Sequence, residues 1–385
     1  MDRSAVFIVG TRAQLIKIAP VVVACERRSI ACTLLMTGQH KETMQDLIAE
    51  FGIASPQVAA VAADEHSTVS SLLRWLPAAY RGVKTRLNEI AGRGEGRIDV
   101  MVHGDTLSTL VGAFAARRSG ARVVHLESGL TSGRLLDPFP EEVCRRLVFR
   151  MTDVAMCPNA EAAAYMKRKH GRRATVVDTH GNTILDAVAL TGASRAAQTP
   201  GNYLVVSLHR FQNIYDGARL RRLTEMVEVA SRSLNVNFVL HPATKKRLAA
   251  CGLLSRLSDN PCMKLLPRMG YRDFLTLAAG AACVLTDGGS NQEELAALGV
   301  PTIVMRAHTE RPDGLGGNVV MEADVPGGME TFLASRGYVS IRRPSMMIDS
   351  EGPAQRIVDA LWPKCELAER TRDYLQASST AGRNL

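Results

Sequence analysis

Short apolar runs alternate with helix-like segments along this chain, and the alternation restarts halfway. The first set of strand-like runs spans residues 6–9, 98–102, 122–126, 154–157 and 175–178. The second set spans residues 203–207, 236–240, 263–266, 283–286 and 302–305. Strands separated by helices pair in parallel with the helices on both faces. The pattern therefore predicts an α/β protein with two doubly wound, Rossmann-like domains that face a central cleft.

A small, polar segment separates the two sets. Residues 191–201 read TGASRAAQTPG, a composition typical of a linker. We therefore predict an N-terminal domain over residues 1–190 and a C-terminal domain over residues 191–358. Residues 353–376 form an amphipathic helical pattern, so we expect residues 359–385 to be a helix that packs back toward the N-terminal domain.

The composition predicts a soluble, intracellular protein. Of the 385 residues, 46% are hydrophobic and 22% are charged, as in globular domains. The N-terminus lacks the pattern of a signal peptide, and no window has the ~18 apolar residues that cross a membrane. The eight cysteines include no C-x-x-C pair. This spacing favours reduced thiols in the cytoplasm over disulfides or a zinc site, so we predict no metal centre.

The net charge of +9 raises the question of an anionic partner. The densest cluster of cations is Lys167, Arg168 and Lys169 with Arg172 and Arg173. It has no interleaved aromatic residues and no RNA-binding signature, so we predict no nucleic-acid partner. A solvated basic face explains the cluster. Attraction to an anionic membrane surface or an acidic partner is the alternative.

Polar residues collect where the predicted strands end. They are Arg12, Lys17, Asp105, Glu127, His209, Arg210, His241 and the segment 287–294, DGGSNQEE. Open α/β sheets bind their ligands in the crevice at the carboxyl ends of the strands. The repeated placement therefore predicts a ligand site there.

Taken singly, each of these residues also has a structural explanation. His209 and His241 fit hydrogen-bonded core histidines, and Arg12 and Lys17 fit charges on a helix surface. Asp105 fits an N-cap. Glu141 and Glu142 start a predicted helix, where carboxylates favour the dipole. Glu127 is different, because a carboxylate directly after an apolar strand risks burial and then needs partners.

The segment TDGGSNQEELAALG has features of a phosphate loop. Gly288 and Gly289 allow close approach of the backbone to a ligand, and Ser290 or Asn291 is placed to cap the helix that follows. The free amides of such a helix bind phosphate, and Glu294 is placed to accept from ribose hydroxyls. An ordinary strand–turn–helix connection fits the same segment.

A set of motifs between residues 10 and 320 resembles those of the UDP-N-acetylglucosamine 2-epimerases, which have the GT-B fold. The motifs are GTRAQLIKIAPVV, TGQHKETMQDLIAEFGI, VHGDTLSTLVGAFAARRSGARVVHLESGL, PFPEEVCRRL, HGNTILDAV, SLHRFQN, HPATKK, TDGGSNQEELAALGVPTIVMR and TERPDG. Each is weak alone, but together they occur in family order and at family spacing.

The resemblance implies a reaction and a set of site residues. Similar enzymes invert C2 of UDP-GlcNAc by eliminating UDP to a 2-acetamidoglucal and adding it back, without NAD or another cofactor. The implied catalytic residues are Asp105, Glu127, Glu141 and His209, with Glu127 and Asp105 handling protons. The implied substrate-binding residues are Arg12, Lys17, Arg145, His241, Gly288, Gly289, Ser290, Glu294 and Arg311. One helical turn separates Glu141 from Arg145, so Arg145 is placed to pair with Glu141 or with phosphate.

The chain departs from the family pattern at several positions. Ser128 replaces an alanine, Gly288 replaces a serine of the phosphate loop, and no proline follows Arg12. Bacterial non-hydrolysing members carry a Gln-rich segment near residues 65–75 that binds a second, activating UDP-GlcNAc. That segment here reads DEHSTVSSLLRWL without the motif, although Gln39 and His40 remain.

The sequence leaves several functions open. The leading hypothesis is a non-hydrolysing epimerase that supplies UDP-ManNAc for a surface polysaccharide. The first alternative is a hydrolysing epimerase that releases UDP and ManNAc. A GT-B glycosyltransferase and a catalytically silent nucleotide-sugar binder are the others. Because similar enzymes are commonly homodimers, the resemblance also implies a homodimer.

Overall fold

The structure is a computed structural model that describes residues 3–39, 44–62, 69–92, 97–134, 139–309, 311–346 and 351–363. It divides into two compact units. The N-terminal unit comprises Met1–Asp186 with Ser350–Leu385, and the C-terminal unit comprises Ala187–Asp349. Each unit contains its own parallel sheet, which confirms the predicted α/β class with two doubly wound sheets.

The N-terminal unit contains a seven-stranded sheet in the order β3-β2-β1-β4-β5-β6-β7. Its strands are β1 (Arg3–Val9), β2 (Cys32–Met36), β3 (Gln57–Ala59), β4 (Arg97–His103), β5 (Arg122–Leu126), β6 (Val154–Cys157) and β7 (Thr175–Asp178). Every pair in the sheet is parallel. Its helices are α1 (Arg12–Arg27), α2 (Gln45–Phe51), α3 (Val69–Gly92), α4 (Leu107–Arg118), α5 (Glu141–Met151), α6 (Ala160–His170) and α7 (Ile184–Thr191), the last of which crosses into the C-terminal unit.

The C-terminal unit contains a six-stranded parallel sheet in the order β10-β9-β8-β11-β12-β13. Its strands are β8 (Tyr203–Ser207), β9 (Asn235–Leu240), β10 (Met263–Pro267), β11 (Cys283–Thr286), β12 (Thr302–Val304) and β13 (Val319–Met321). Its helices are α8 (Ser194–Ala197), α9 (Phe211–Ile214), α10 (Gly217–Ala230), α11 (Pro242–Ala250), α12 (Leu253–Ser258), α13 (Tyr271–Ala279), α14 (Gly289–Leu298), α15 (Met329–Ala334) and α16 (Tyr338–Ile341).

The chain returns to the N-terminal unit through α17 (Pro353–Leu361). This helix packs beside α1, where Arg28 forms a 2.6 Å ion pair with Asp359. The predicted helix over residues 353–376 thus begins as expected, but residues 364–385 lie outside the described part of the chain. The predicted linker, residues 191–201, contains the short helix α8.

Both sheets are covered by helices, so their central strands are buried on two faces. Residues 5–9 of β1 are fully buried, as are Val205 and Val206 of β8. Strands of this kind are continuously apolar, which explains why they are visible in the sequence. Among the described helices, none is both long and apolar enough to cross a bilayer.

Candidate active site

Asp105 and Glu127 lie at neighbouring positions beyond the carboxyl ends of β4 and β5, two adjacent strands of the N-terminal sheet. His103 pairs with Leu126 in the parallel register; Glu127 directly follows Leu126, and Asp105 follows His103 after one residue, Gly104. Glu127 has φ of +59°, a left-handed conformation that side chains other than glycine rarely adopt. Such conformations cluster at functional sites, where the surrounding structure holds them.

Glu127 lies between two basic side chains. The ammonium group of Lys17 on α1 is 3.1 Å from both carboxylate oxygens, and Nε2 of His103 is 3.1 Å from Oε2. The side chains of Lys17 and Glu127 are only 5% and 15% exposed. The carboxylate therefore has the charged partner that a position at the end of a buried strand requires.

Asp105 is paired with a different cation. Arg145 on α5 forms an ion pair with Asp105 through Nη2, and its Nη1 is 2.8 Å from Glu142. The sequence predicted that Arg145 would pair with Glu141 or with a phosphate. In the structure Arg145 joins Asp105 to the neighbouring carboxylate, Glu142.

Glu141 is the first residue of α5, and one of its carboxylate oxygens has no hydrogen-bond donor among the described residues. Its Oε2 is buried and accepts no hydrogen bond from the described residues. A bound ligand can supply the missing donor. The thiol of Cys144 lies near both Asp105 and Glu141, and burial together with these two carboxylates raises its pKa to about 11. Asp105 and Glu141 therefore both lie close to this thiol.

The start of α1 places Arg12 and Gln14 near the same sheet edge. Arg12 forms a two-point ion pair with Asp46, with both N–O distances 2.6 Å, and holds the pKa of that carboxyl below its usual range. Gln14 was missed by the sequence analysis. Its buried side chain accepts from the Gly10 amide at 3.0 Å and donates to the His103 carbonyl at 2.9 Å. It thereby ties the β1–α1 turn to the end of β4.

His103 and His125, which precede Asp105 and Glu127 by two residues each, were not predicted as site residues from the sequence. His103 contacts Glu127, as described above. His125 is fully buried on β5, with Nε2 2.8 Å from the carbonyl oxygen of Gly104. Burial lowers the pKa of His125 to about 4, so its ring is neutral at neutral pH. A histidine inside an apolar strand is indistinguishable from a core residue in the sequence, which is why neither was singled out.

A second polar cluster lies at the carboxyl edge of the C-terminal sheet. Asp287 follows β11, is fully buried, and accepts hydrogen bonds from the backbone amides of His209 at 3.0 Å and Arg210 at 2.9 Å. The side-chain amide of Asn213 donates to the same carboxylate at 2.8 Å. Asp287 therefore fixes the loop after β8, and with it His209.

The rings of His209 and His241 stack on each other. Their centroids are 4.9 Å apart and their planes differ by 28°. Nδ1 of His209 lies 3.1 Å from a carboxylate oxygen of Asp287. The sequence predicted only that both histidines follow strands. The structure adds that they form one flat pair at this edge.

Helix α14 presents an N-terminus without a side-chain cap. Gly288 is its N-cap residue, and the first turn contains Gly289 and Ser290. A Cβ atom at Gly289 would lie 2.9 Å from Nε of Arg311. Glycine thus lets a guanidinium lie against the first turn. Free amides and a cation at a helix N-terminus are suited to binding an anion.

The predicted ribose carboxylate, Glu294, is almost fully buried on the same helix. Glu293, which precedes Glu294, forms an ion pair with Arg311. The side-chain amide of Gln292 donates to the carbonyls of Arg311 and Asp313 at 3.0 Å each. The helix therefore holds the loop that carries the TERPDG motif, whose Glu310 lies outside the described residues.

Two helix caps considered from the sequence are wrong. The side chain of Thr106, rather than that of Asp105, accepts the capping hydrogen bond of α4. At α14 neither Ser290 nor Asn291 is the cap, because the helix begins directly after Gly288. Aspartate, serine, threonine and asparagine all cap helices well, so residue type alone could not decide between adjacent candidates.

The structure describes only part of the region near residues 65–75, which in bacterial non-hydrolysing members carries the Gln-rich segment. His40 and residues 63–68 lie outside the described residues. Gln39 accepts a 2.5 Å hydrogen bond from the hydroxyl of Ser108. The indole of Trp75 donates to the carbonyl of Thr37 at 3.0 Å. In the part of the chain that is described, no cluster of three or more metal-ligating side chains occurs.

The basic cluster of the sequence forms an exposed patch at the end of α6. Lys167, Arg168 and Lys169 are exposed in its last turn. Arg173 donates to the carbonyl of Arg150 at 2.6 Å, which ties the cluster to the last turn of α5. Because α6 runs antiparallel to the strands, this basic patch lies at the amino ends of the strands of the N-terminal sheet. Glu127 lies at the opposite, carboxyl ends of these strands.

Comparison with known proteins identifies a family and its relatives. The family profile described as "UDP-N-acetylglucosamine 2-epimerase" matches residues 23–326. The UDP-N-acetylglucosamine 2-epimerase of Methanocaldococcus jannaschii is 29% identical over 335 residues, which cover 82% of this chain and 87% of the relative.

Solved structures match over almost the whole chain. A structure of UDP-GlcNAc 2-epimerase from M. jannaschii has a TM-score of 0.73 at 25% identity and covers 94% of this chain and 99% of its own. Another from the same organism, in complex with UDP-GlcNAc and UDP, has a TM-score of 0.68 at 26% identity with the same coverage. The chain therefore belongs to the UDP-N-acetylglucosamine 2-epimerase family.

Proposed function

We propose that this protein is a non-hydrolysing epimerase that converts UDP-GlcNAc to UDP-ManNAc. Family membership supports the substrate class, and so does the M. jannaschii structure that holds UDP-GlcNAc and UDP. The observation that carries the proposal is the pair Glu127 and Asp105. These carboxylates lie just after two adjacent strands, and each has its own cationic partner.

Two separately held carboxylates suit the reaction. In the elimination, a base removes the C2 proton, the electron pair forms the C1=C2 bond, and the C1–O bond breaks so that its electrons leave with UDP. In the return step, an oxygen of UDP attacks C1 while a proton is delivered to the opposite face of C2. Inversion therefore needs proton-handling groups on two faces of the sugar. We assign these roles to Glu127 and Asp105, with Glu141 supporting the sugar.

The cluster on the C-terminal sheet suits the leaving group. UDP departs as a diphosphate, and negative charge grows on the oxygen that leaves C1. The amides of Gly289 and Ser290, together with Arg311, offer donors to that charge. We propose that His209 acts on the same group, that His241 supports it, and that Glu294 accepts from the ribose. On the N-terminal side, Arg12, Lys17 and Arg145 contribute the positive charge near the sugar.

Proton NMR in deuterium oxide tests the proposal. Incubation with UDP-GlcNAc should place deuterium at C2 and produce UDP-ManNAc. Free ManNAc and UDP would instead assign the hydrolysing reaction, in which water replaces UDP in the second step. Intact UDP-GlcNAc without exchange would refute both reactions on this substrate.

Matched variants tie the reaction to the two carboxylates. We expect Glu127→Gln and Asp105→Asn each to slow C2 exchange by about 10²–10⁴-fold, the usual contribution of a proton-transfer group. Glu89→Gln changes an exposed carboxylate on α3 and should retain wild-type exchange. Wild-type rates in both site variants would contradict the assignment of roles.

We also propose that the protein is a homodimer that works in the cytoplasm and supplies a surface-polysaccharide pathway. The seven described cysteines are free thiols, which suits a reducing compartment. An apolar surface on α3, α4 and α5 supports the dimer. Phe114 is 47% exposed, its ring is 5.3 Å from that of Tyr80, and Leu147 is also exposed.

Sedimentation velocity tests the dimer. The wild type should sediment as a dimer, and Phe114→Lys should shift it toward the monomer because burying an unpaired charge is costly. Val339→Lys places the same charge at an exposed apolar position of the C-terminal unit and should leave the dimer intact. A monomeric wild type would refute this part of the proposal.

A further inference from the structure

Glu142, the second residue of α5, is a fully buried carboxylate that collects four donors. The Thr131 hydroxyl donates at 2.5 Å and the Ser132 amide at 3.3 Å. The guanidinium groups of Arg145 and Arg146 donate at 2.8 Å each. Both carboxylate oxygens are therefore used, one by Thr131 and Arg146 and the other by Ser132 and Arg145.

This arrangement keeps Glu142 ionised without access to water. Burial opposes the charged form, but hydrogen bonds from Thr131, Arg146 and Ser132 outweigh it and lower the pKa below its ordinary value. A buried charge of this kind is costly to build and strongly destabilising to break. A dipole-favouring carboxylate at a helix start would need none of these contacts, so the helix dipole alone does not explain Glu142.

Arg145 connects Glu142 to the site. Its Nη1 donates to Glu142 while Nη2 of the same group donates to Asp105. A guanidinium is planar and rigid, so fixing one terminal nitrogen also fixes the other. The direction from which Asp105 receives its cation is therefore set by Glu142. The charge of Arg145 is also divided between the two carboxylates.

The same carboxylate fastens the loop that follows β5. Within this loop the hydroxyl of Ser132 donates to the carbonyl of Arg134 at 3.0 Å, and the Gly133 amide donates to Thr131 at 3.1 Å. Among the described residues of α5, Glu142 is the one that accepts from the loop, through Thr131 and Ser132. The loop and the arginine thus meet at a single side chain.

We propose that Glu142 is a positioning residue that holds Arg145 against Asp105 and anchors residues 131–134 to the start of α5. The catalytic consequence rests on the proposed function, because it assumes that Asp105 transfers a proton. The anchoring of the loop does not. The two parts predict different measurements on one variant.

Glu142→Gln is the central test, since it removes the charge and retains the size. We expect kcat for C2 exchange to fall about 10–100-fold, because Arg145 loses its position against Asp105. KM should change less than about threefold, because the shape of the substrate site is retained. Asp105 then loses the cation that Glu142 holds against it, so the acidic limb of the kcat/KM profile should move to higher pH, which a general loss of folded protein would not cause.

Limited trypsin digestion reads the loop independently of activity. Arg134 is exposed in the loop, so release of the anchor should speed cleavage after Arg134 by about tenfold or more, as expected when local opening becomes easier. Thr131→Val removes one donor only. It should show a smaller increase and serves if Glu142→Gln fails to fold. Glu89→Gln should match the wild type in every measurement.

The outcomes separate the two proposals. An active wild type whose Glu142→Gln variant keeps its kcat and its pH profile would overturn the positioning role, whatever the digestion shows. If the wild type shows no C2 exchange, the proposed function fails. The inference is then decided by cleavage after Arg134 alone, and unchanged cleavage would overturn it.

Discussion

The ammonium group of Lys17 lies 3.1 Å from both carboxylate oxygens of Glu127, and both side chains are largely buried. Lys17→Met removes this cation from the carboxylate and leaves His103 in place, 3.1 Å from Oε2. Breaking one half of a buried pair costs about 3–5 kcal/mol, so urea denaturation should show a loss near the lower end of that range. C2 exchange should slow at least tenfold. Lys169→Met, in the basic patch, should change neither quantity.

The stacking of His209 on His241 predicts a difference between two substitutions. His241→Ala removes the ring, and aromatic pairs contribute about 0.5–1.5 kcal/mol. We expect the Kd for UDP, measured by calorimetry, to rise about 2–10-fold. His241→Phe retains a ring of similar size and should bind UDP within a factor of two of the wild type. Equal weakening in both variants would show that the imidazole, rather than the stack, matters.

Gly129 and Gly133 form a matched pair after β5. Their φ angles are +87° and +77°, so alanine at either position carries a left-handed penalty of about 1–2 kcal/mol. Only at Gly129 would the new Cβ collide with the backbone, 2.4 Å from the carbonyl oxygen of Ala162, whereas open space surrounds Gly133. Denaturation should therefore show Gly129→Ala to be the less stable variant by about 2 kcal/mol or more.

Asp186, at the end of the N-terminal unit, predicts a pH-dependent stability. Burial raises its pKa to about 6 from an ordinary 3.8, although its carboxylate accepts from the Ala354 amide at 3.0 Å. As pH rises from 3.8 to 6, the unfolded chain loses this proton first, so the native state is progressively destabilised. Above pH 6 the full cost applies, about 2–3 kcal/mol.

Asp186→Asn should therefore stabilise the protein at pH 7.5 and have little effect near pH 4. Urea midpoints of variant and wild type at the two pH values measure the difference. Asp259→Asn, at an exposed position, should show no such pH dependence. A stabilisation that is equal at both pH values would point to packing rather than to ionisation.

Strands β1 and β4–β12 were predictable from their apolar runs, whereas β2, β3 and β13 were not predicted. The predicted bounds of β5, β6, β7, β8 and β11 agree with the structure. The polar residues directly after them were predictable for the same reason, since the change from apolar to polar marks the end of a strand. Asp105 and Glu127 were found in this way.

The partners of these residues were not predictable, because they depend on contacts between distant segments. Gln14 reaches the carbonyl of His103 across 89 positions, and Lys17 reaches Glu127 across 110. Glu142 looked like a helix-start carboxylate, and nothing in its local sequence distinguishes a buried anchor from a solvated one. Local chemistry selects the residue type, and tertiary packing selects the partner.

The basic patch at the end of α6 has a practical consequence. Its cations lie at the amino edge of the N-terminal sheet, whereas Glu127 and Asp105 lie at the carboxyl edge of that sheet. A sulfonated resin should therefore adsorb the N-terminal unit at the amino ends of the strands of this sheet, away from Glu127 and Asp105. The patch therefore suits oriented immobilisation of the protein. The support would contact the amino ends of the strands, and solvent would reach the carboxyl ends.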